Sequence, residues 1–129
     1  MTYPGAPTIY YGDEIGMVGA DDPDDRRGME WGKGSKELVE WYAKLAAVRN
    51  TYPVLRTGDI QPLDLEKVVG LSNDHLMGYQ RMDENGPAWV ILNNSQEDVE
   101  ITVEAFEAEK TVVDVLSGAC PRRRDPNAF

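Results

Sequence analysis

The chain is short of the residues from which most catalytic and metal centres are built. One cysteine, Cys120, and one histidine, His75, occur in 129 residues. A lone cysteine closes no internal disulfide, and without a second sulfur or imidazole there is no zinc constellation. His75 follows Asp74 ahead of an apolar run, with no serine or cysteine setting around it, so it reads as a surface turn residue rather than a triad member. Basic residues are also few: 13 Lys and Arg against 23 Asp and Glu give a net charge of −10, which leaves no electrostatic footprint for nucleic acid or an anionic membrane. No run approaches the ~20 apolar residues of a membrane-spanning helix, and no basic segment followed by an apolar stretch opens the chain. No nucleic-acid, membrane or metal partner and no cofactor is expected, and a cytoplasmic setting is favoured.

What the chain has is organised in three parts. Residues 7–17, "PTIYYGDEIGM", read as a buried strand at Thr8–Tyr11 running into a polar turn, followed by the Gly- and Asp-rich loop "GMVGADDPDDRRGMEWGKG". A buried strand needs neighbours on both sides, so the chain is expected to be a piece whose upstream part is missing. Next comes "SKELVEWYAKLAAVRNTYP": Leu38, Trp41, Tyr42, Leu45 and Val48 recur at helical spacing, Ser35 caps the start and Pro53 stops it, which predicts a helix over 36–50. Glu40 and Lys44 stand as an i,i+4 pair on its polar side.

The remainder alternates short apolar runs with turn residues: "DIQPLDL", "KVVGL", "HLMGYQRM", "AWVILNN", "VEITV" and "KTVVDVL". Such spacing predicts an antiparallel sandwich or barrel over about residues 55–117, and "ENGP" carries an Asn-Gly hairpin signal. Leu38, Trp41, Leu45, Val90, Ile91 and Leu92 are the expected core, with residues 1–34 less regular.

Several motifs are set aside. "GMEWGKGS" is one residue short of a phosphate loop and has Gly34 where Ser or Thr should follow Lys33. "DDPDD" offers oxygen ligands for calcium, but Pro23 stiffens it and Arg26 and Arg27 follow at once, so an arginine-paired loop is the better reading. Arg122, Arg123 and Arg124 read as a solvated tail, and "NNS" at 93–95, although it fits a glycan acceptor, serves equally as a strand-end turn.

Residues 4–31 are more specific. "PGAPTIYYGDEIGM" and then "DPDDRRGMEW" resemble the last barrel strand and following loop of the α-amylase family, glycoside hydrolase family 13, in its neopullulanase and cyclomaltodextrinase branch. "LAAVRNTYPVLRTGDI" is similar to the end of the family's eighth barrel helix, and "MGYQRMDENGPAWVILNNS" to its C-terminal β domain, domain C. The resemblance implies a mainly β chain, an antiparallel β-sandwich of domain C type preceded by one helix and the last strand of a (β/α)8 barrel. Residues 1–52 would be the barrel remnant and 53–129 domain C. It implies an α-glucan partner reached through a parent hydrolase, and self-association of the isolated chain through surfaces meant for the barrel.

In that family the catalytic carboxylates sit on the fourth, fifth and seventh strands, all of which would lie before Met1, so no catalytic residue is assigned. The chemistry agrees, because a retaining glycosidase needs two facing carboxylates ~5–5.5 Å apart at the end of a closed barrel. Asp13 and Glu14 are adjacent and poorly suited to such a pair; a structural role, bonding loop backbone, is expected of Glu14. Two substrate-binding positions carry over from the branch's "D-P-x-x-R" loop: Asp22 and Arg26, a carboxylate accepting sugar hydroxyls and a guanidinium donating to them, against which stands an ordinary loop salt bridge.

The chain departs from the pattern at Gly28, commonly proline, at Asp25, often cysteine in this branch, and in its polar tail "SGACPRRRDPNAF". Two other readings stay open: a free-standing carbohydrate-binding β module stacking sugars on Trp31, Trp89 or Tyr79, with Trp41 reserved for the core, and the tail of a non-hydrolytic relative such as a transglycosylase or isomerase.

Overall fold

A computed structural model of the chain describes residues 1–63, 66–67, 75–99, 101–102 and 112–118. Cys120, Arg122–Arg124 and most of "KVVGL" lie outside the described residues. A helix α1, Lys36–Thr51, is followed by a one-turn helix α2, Val54–Thr57, and by strands β1 (Asp59–Pro62), β2 (Glu66–Lys67), β3 (Leu76–Asp83), β4 (Gly86–Asn93) and β5 (Ile101–Thr102). β1, β3 and β4 form a three-stranded sheet in that order, and β2 pairs with β5 antiparallel, Glu66 opposite Thr102 and Lys67 opposite Ile101. A small antiparallel sheet with few helices accords with a mainly β chain. Of "KTVVDVL", residues 112–116 carry no strand.

α1 forms where its spacing predicts, and for local reasons. The Ser35 hydroxyl oxygen accepts from the Leu38 amide at 3.2 Å, Glu37 lies in the first turn, and the chain leaves at Tyr52, whose amide donates to Val48 at 3.0 Å. Pro53 then opens α2 instead of continuing α1. The entry to α1 is fixed from the side: the Ser35 amide donates to the Ile15 carbonyl at 3.0 Å. Gly34 makes this approach at φ +86°, and a Cβ there would lie 2.3 Å from that same carbonyl oxygen.

Three expectations are corrected. Residues 6–10 have no regular structure, so the strand expected at Thr8–Tyr11 does not form here; Ile9, Tyr10 and Tyr11 are exposed. Strand propensity expresses itself only against ladder partners, and no described strand lies beside these residues. Trp41 is 44 % exposed rather than core, its ring instead carrying the Lys44 ammonium 5.9 Å from the centroid. Ile91 and Leu92 are likewise exposed. Residues 1–34 are less regular as expected, with single 3-10 turns at Asp13–Ile15 and Asp24–Arg26.

The hairpin at "ENGP" forms, displaced by one residue. The turn residues are Glu84 and Asn85, the Asp83 carboxylate accepts from the Asn85 amide at 2.8 Å, and Gly86 begins β4 at φ +117°. Among the described residues no non-glycine has positive φ, so Asn85 is not in the left-handed conformation that an Asn-Gly turn centre demands.

The chain divides into two compact units, Met1–Gln61 with Gln80–Val90, and Pro62–Tyr79 with Ile91–Phe129. The interior of the first rests on two arginines. Arg49 of α1 donates to the carbonyls of Met1 (2.5 Å), Tyr3 (3.1 Å), Gly5 (2.5 Å) and Leu55 (2.8 Å). Arg81 of β3 is 1 % exposed and donates to Thr2 (2.7 Å), Leu55 (2.8 Å) and, through two nitrogens, Gly58 (3.2 and 2.6 Å). Val54 and Leu55 of α2 are buried in the same unit. Each guanidinium keeps its charge and is stabilised by carbonyl dipoles, and the Leu55 carbonyl serves both. In the second unit, Leu63 donates to Gly78 at 3.0 Å and Tyr79 is buried.

Candidate functional site

The loop from Val18 to Arg27 is shaped by one ion pair. Asp24 and Arg27, three residues apart, meet across a 3-10 turn, and the guanidinium donates twice to the carboxylate, from Nε at 2.7 Å and Nη2 at 2.5 Å. The free ends of both groups take up loop backbone: the Ala20 amide donates to Asp24 Oδ2 at 2.9 Å, and Arg27 Nη1 donates to the Val18 carbonyl at 3.0 Å. The Tyr11 hydroxyl donates to the Arg27 carbonyl at 3.0 Å, tying this loop to the segment before it.

The electrostatics follow from these bonds. Arg27 first, and the Ala20 amide second, hold the Asp24 carboxyl below the usual carboxylate range, and the same pair raises Arg27. Desolvation, followed by the neighbouring Tyr10, pushes the Tyr11 phenol up. A pocket of about 170 Å³ opens here, lined among others by Tyr10, Tyr11, Asp13, Met17, Asp24 and Asp25.

Asp22 and Arg26 project from this frame and are brought together as an i,i+4 ion pair, each about two-thirds exposed (68 and 69 %). They do not line the pocket. An acceptor and a donor thus stand side by side in water. Glu14 accepts from the Gly12 amide at 3.1 Å, bonding loop backbone as expected of it.

Of the aromatic residues considered for sugar stacking, Trp31 is 83 % exposed, whereas Tyr79 is buried and has no face to offer. The arginine-paired loop read from "DDPDD" is what Asp24 and Arg27 form, their i,i+3 spacing being the usable signal. Sequence reasoning missed Tyr11, whose reach across 16 residues carried none. Among the described residues no group of His, Cys, Asp or Glu is arranged to hold a metal ion.

The homologues of this chain carry the names cyclomaltodextrinase, amylopullulanase, neopullulanase and maltogenic amylase, α-glucan-acting enzymes of the α-amylase family. A cyclomaltodextrinase of Geobacillus thermopakistaniensis (strain MAS1) is 40 % identical over 92 % of this chain and 20 % of its own length. An amylopullulanase of Thermoanaerobacterium saccharolyticum is 36 % identical over 81 % of this chain and 8 % of its own. Neopullulanase 2 of Thermoactinomyces vulgaris is 36 % identical over 92 % of this chain and 20 % of its own. The chain thus spans a fifth or less of the length of these relatives. No protein-family model matches it.

Proposed function

We infer that the chain is the C-terminal portion of a glycoside hydrolase acting on α-glucans such as cyclomaltodextrin, pullulan or maltooligosaccharides, and that it has no active site of its own. On this reading residues 1–52 are the remnant of a catalytic barrel and 53–129 a domain C sandwich. The observation that carries it is the match of 92 % of this chain to a 20 % portion of a cyclomaltodextrinase at 40 % identity.

Asp22 and Arg26 are the substrate-binding residues of this reading. An exposed ion pair is worth about 0–1 kcal/mol, so a glucosyl unit offering hydroxyls to both groups displaces it at little cost. The exposed Ile9, Tyr10, Val18, Trp31 and Trp41 are the surface on which the remainder of the enzyme packs, and in the isolated chain they drive self-association. The isolated chain should release no reducing sugar from cyclodextrin or pullulan. Release above a heat-treated control overturns the reading.

A further inference from the structure

We propose that Asn85, at the tip of the β3–β4 hairpin, is a site of spontaneous covalent modification, converting through a cyclic imide to isoaspartate and aspartate while the chain remains folded. The reaction needs a carboxamide free to turn onto the next residue's amide nitrogen, and an uncrowded nucleophile. Asn85 is exposed, and its carboxamide has no hydrogen-bond partner among the described residues. Gly86 follows it, carries no Cβ, and has open space where one would stand.

The step balances with water alone. The Gly86 amide nitrogen attacks Asn85 Cγ, forming an N–Cγ bond; the nitrogen's proton passes to the departing amide group, which leaves as ammonia, and a five-membered succinimide remains. Water then adds to either imide carbonyl. Opening at one restores the backbone and leaves an aspartate side chain; opening at the other routes the backbone through Cγ as isoaspartate. Both products exchange NH for O and add one negative charge to a chain already at −10.

The other described asparagines set the contrast that makes this a structural claim. Asn93 has its carboxamide held at both ends, Nδ2 donating to the Glu97 carbonyl at 2.8 Å and Oδ1 accepting from the Ser95 amide at 2.9 Å and hydroxyl at 2.7 Å. Its would-be nucleophile, the Asn94 amide, donates to the His75 carbonyl at 2.8 Å. For Asn94 the nucleophile is the Ser95 amide, occupied by Asn93. Asn50 lies inside α1 and is followed by Thr51, whose branched Cβ crowds the nucleophile that Gly86 leaves open. Breaking a neutral hydrogen bond costs about 0.5–1.5 kcal/mol, which slows attack by roughly 2- to 12-fold for each bond.

The test is incubation of the intact chain in mildly alkaline buffer, with peptide mapping by mass spectrometry over time and circular dichroism to confirm that it stays folded. The hairpin peptide should gain the mass difference of O for NH at a rate roughly tenfold or more above the peptides holding Asn50, Asn93 and Asn94, equivalent to about 1.4 kcal/mol in barrier. Both isoaspartate and aspartate should appear, and Asn85→Gln should stop the change without altering the dichroism. Three results overturn the proposal: equal rates at Asn85 and Asn93, aspartate without isoaspartate, or conversion confined to chain unfolded in guanidinium.

Discussion

Replacing Arg81 by methionine tests whether carbonyl capture, rather than apolar burial, holds the first unit together. The side chain is 1 % exposed and its donors reach the carbonyls of Thr2, Leu55 and Gly58. In Arg81→Met the Leu55 carbonyl keeps its bond from Arg49 at 2.8 Å, so two acceptors, Gly58 and Thr2, are stranded. A buried acceptor without a partner costs about 1–3 kcal/mol, giving about 2–6 kcal/mol for two. The burial penalty of the guanidinium is offset in the wild type by the charge-assisted bonds that leave with it, and Thr2 is near enough to solvent for water to replace part of its bond. The lower part of the range, a loss of about 2–3 kcal/mol, is therefore expected. With a urea slope of about 1–2 kcal/mol per molar for a small chain, the midpoint followed by dichroism and tryptophan fluorescence should fall by roughly 1–3 M. Arg81→Lys keeps the charge but cannot span three carbonyls, and should lie between wild type and Arg81→Met. A methionine variant within about 0.5 kcal/mol of wild type refutes the reasoning.

Two further outcomes follow. Because Arg27 holds the Asp24 pKa below its unfolded value, the loop's stabilisation is fully present above the usual carboxylate range and is lost as pH falls through the lowered value, below about pH 4; the Ala20 amide resonance, bonded to Asp24, should titrate there, and a midpoint at or above that of an exposed aspartate contradicts it. Light scattering at micromolar concentration should report a dimer or larger species, since large apolar side chains stand exposed from Tyr3 to Trp41, and a clean monomer removes the support for a barrel-facing surface.

Legibility followed the range of the interactions involved. α1 was readable because Ser35, Glu37, the apolar period and Pro53 all act within a turn or two of where they stand. The hairpin was readable for the same reason, though not its register: the Asp83 carboxylate engages the Asn85 amide and moves the turn back by one residue. Thr8–Tyr11 was misread because a β-rich run states only that a strand is affordable, while the ladder partner lies elsewhere in the chain or outside it. At the candidate site, the Asp22–Arg26 pair could be read from i,i+4 spacing on a short polar loop. Arg49 could not: at the last turn of a helix an arginine reads as a solvent-facing cap, yet its partners are carbonyls 44 to 48 residues earlier.

These long-range bonds also explain why an irregular segment holds a defined loop. Residues 1–34 have no sheet to satisfy their backbone, so order must come from side chains that reach in. Arg49 and Arg81 fix the carbonyls from Met1 to Gly5. Ser35 fixes Ile15 through its amide, and Tyr11 fixes Arg27 through its hydroxyl. The loop bearing Asp22 and Arg26 thus hangs from three anchors, two of them leading into α1, and inside the loop Asp24 and Arg27 set the turn that places the exposed pair. An exposed ion pair on a free loop would lose its ordering entropy with every ligand it met. Here much of that entropy is lost on folding, through polar bonds that a sequence rich in glycine and aspartate is ill suited to make until the arginines in α1 and β3 are counted with it.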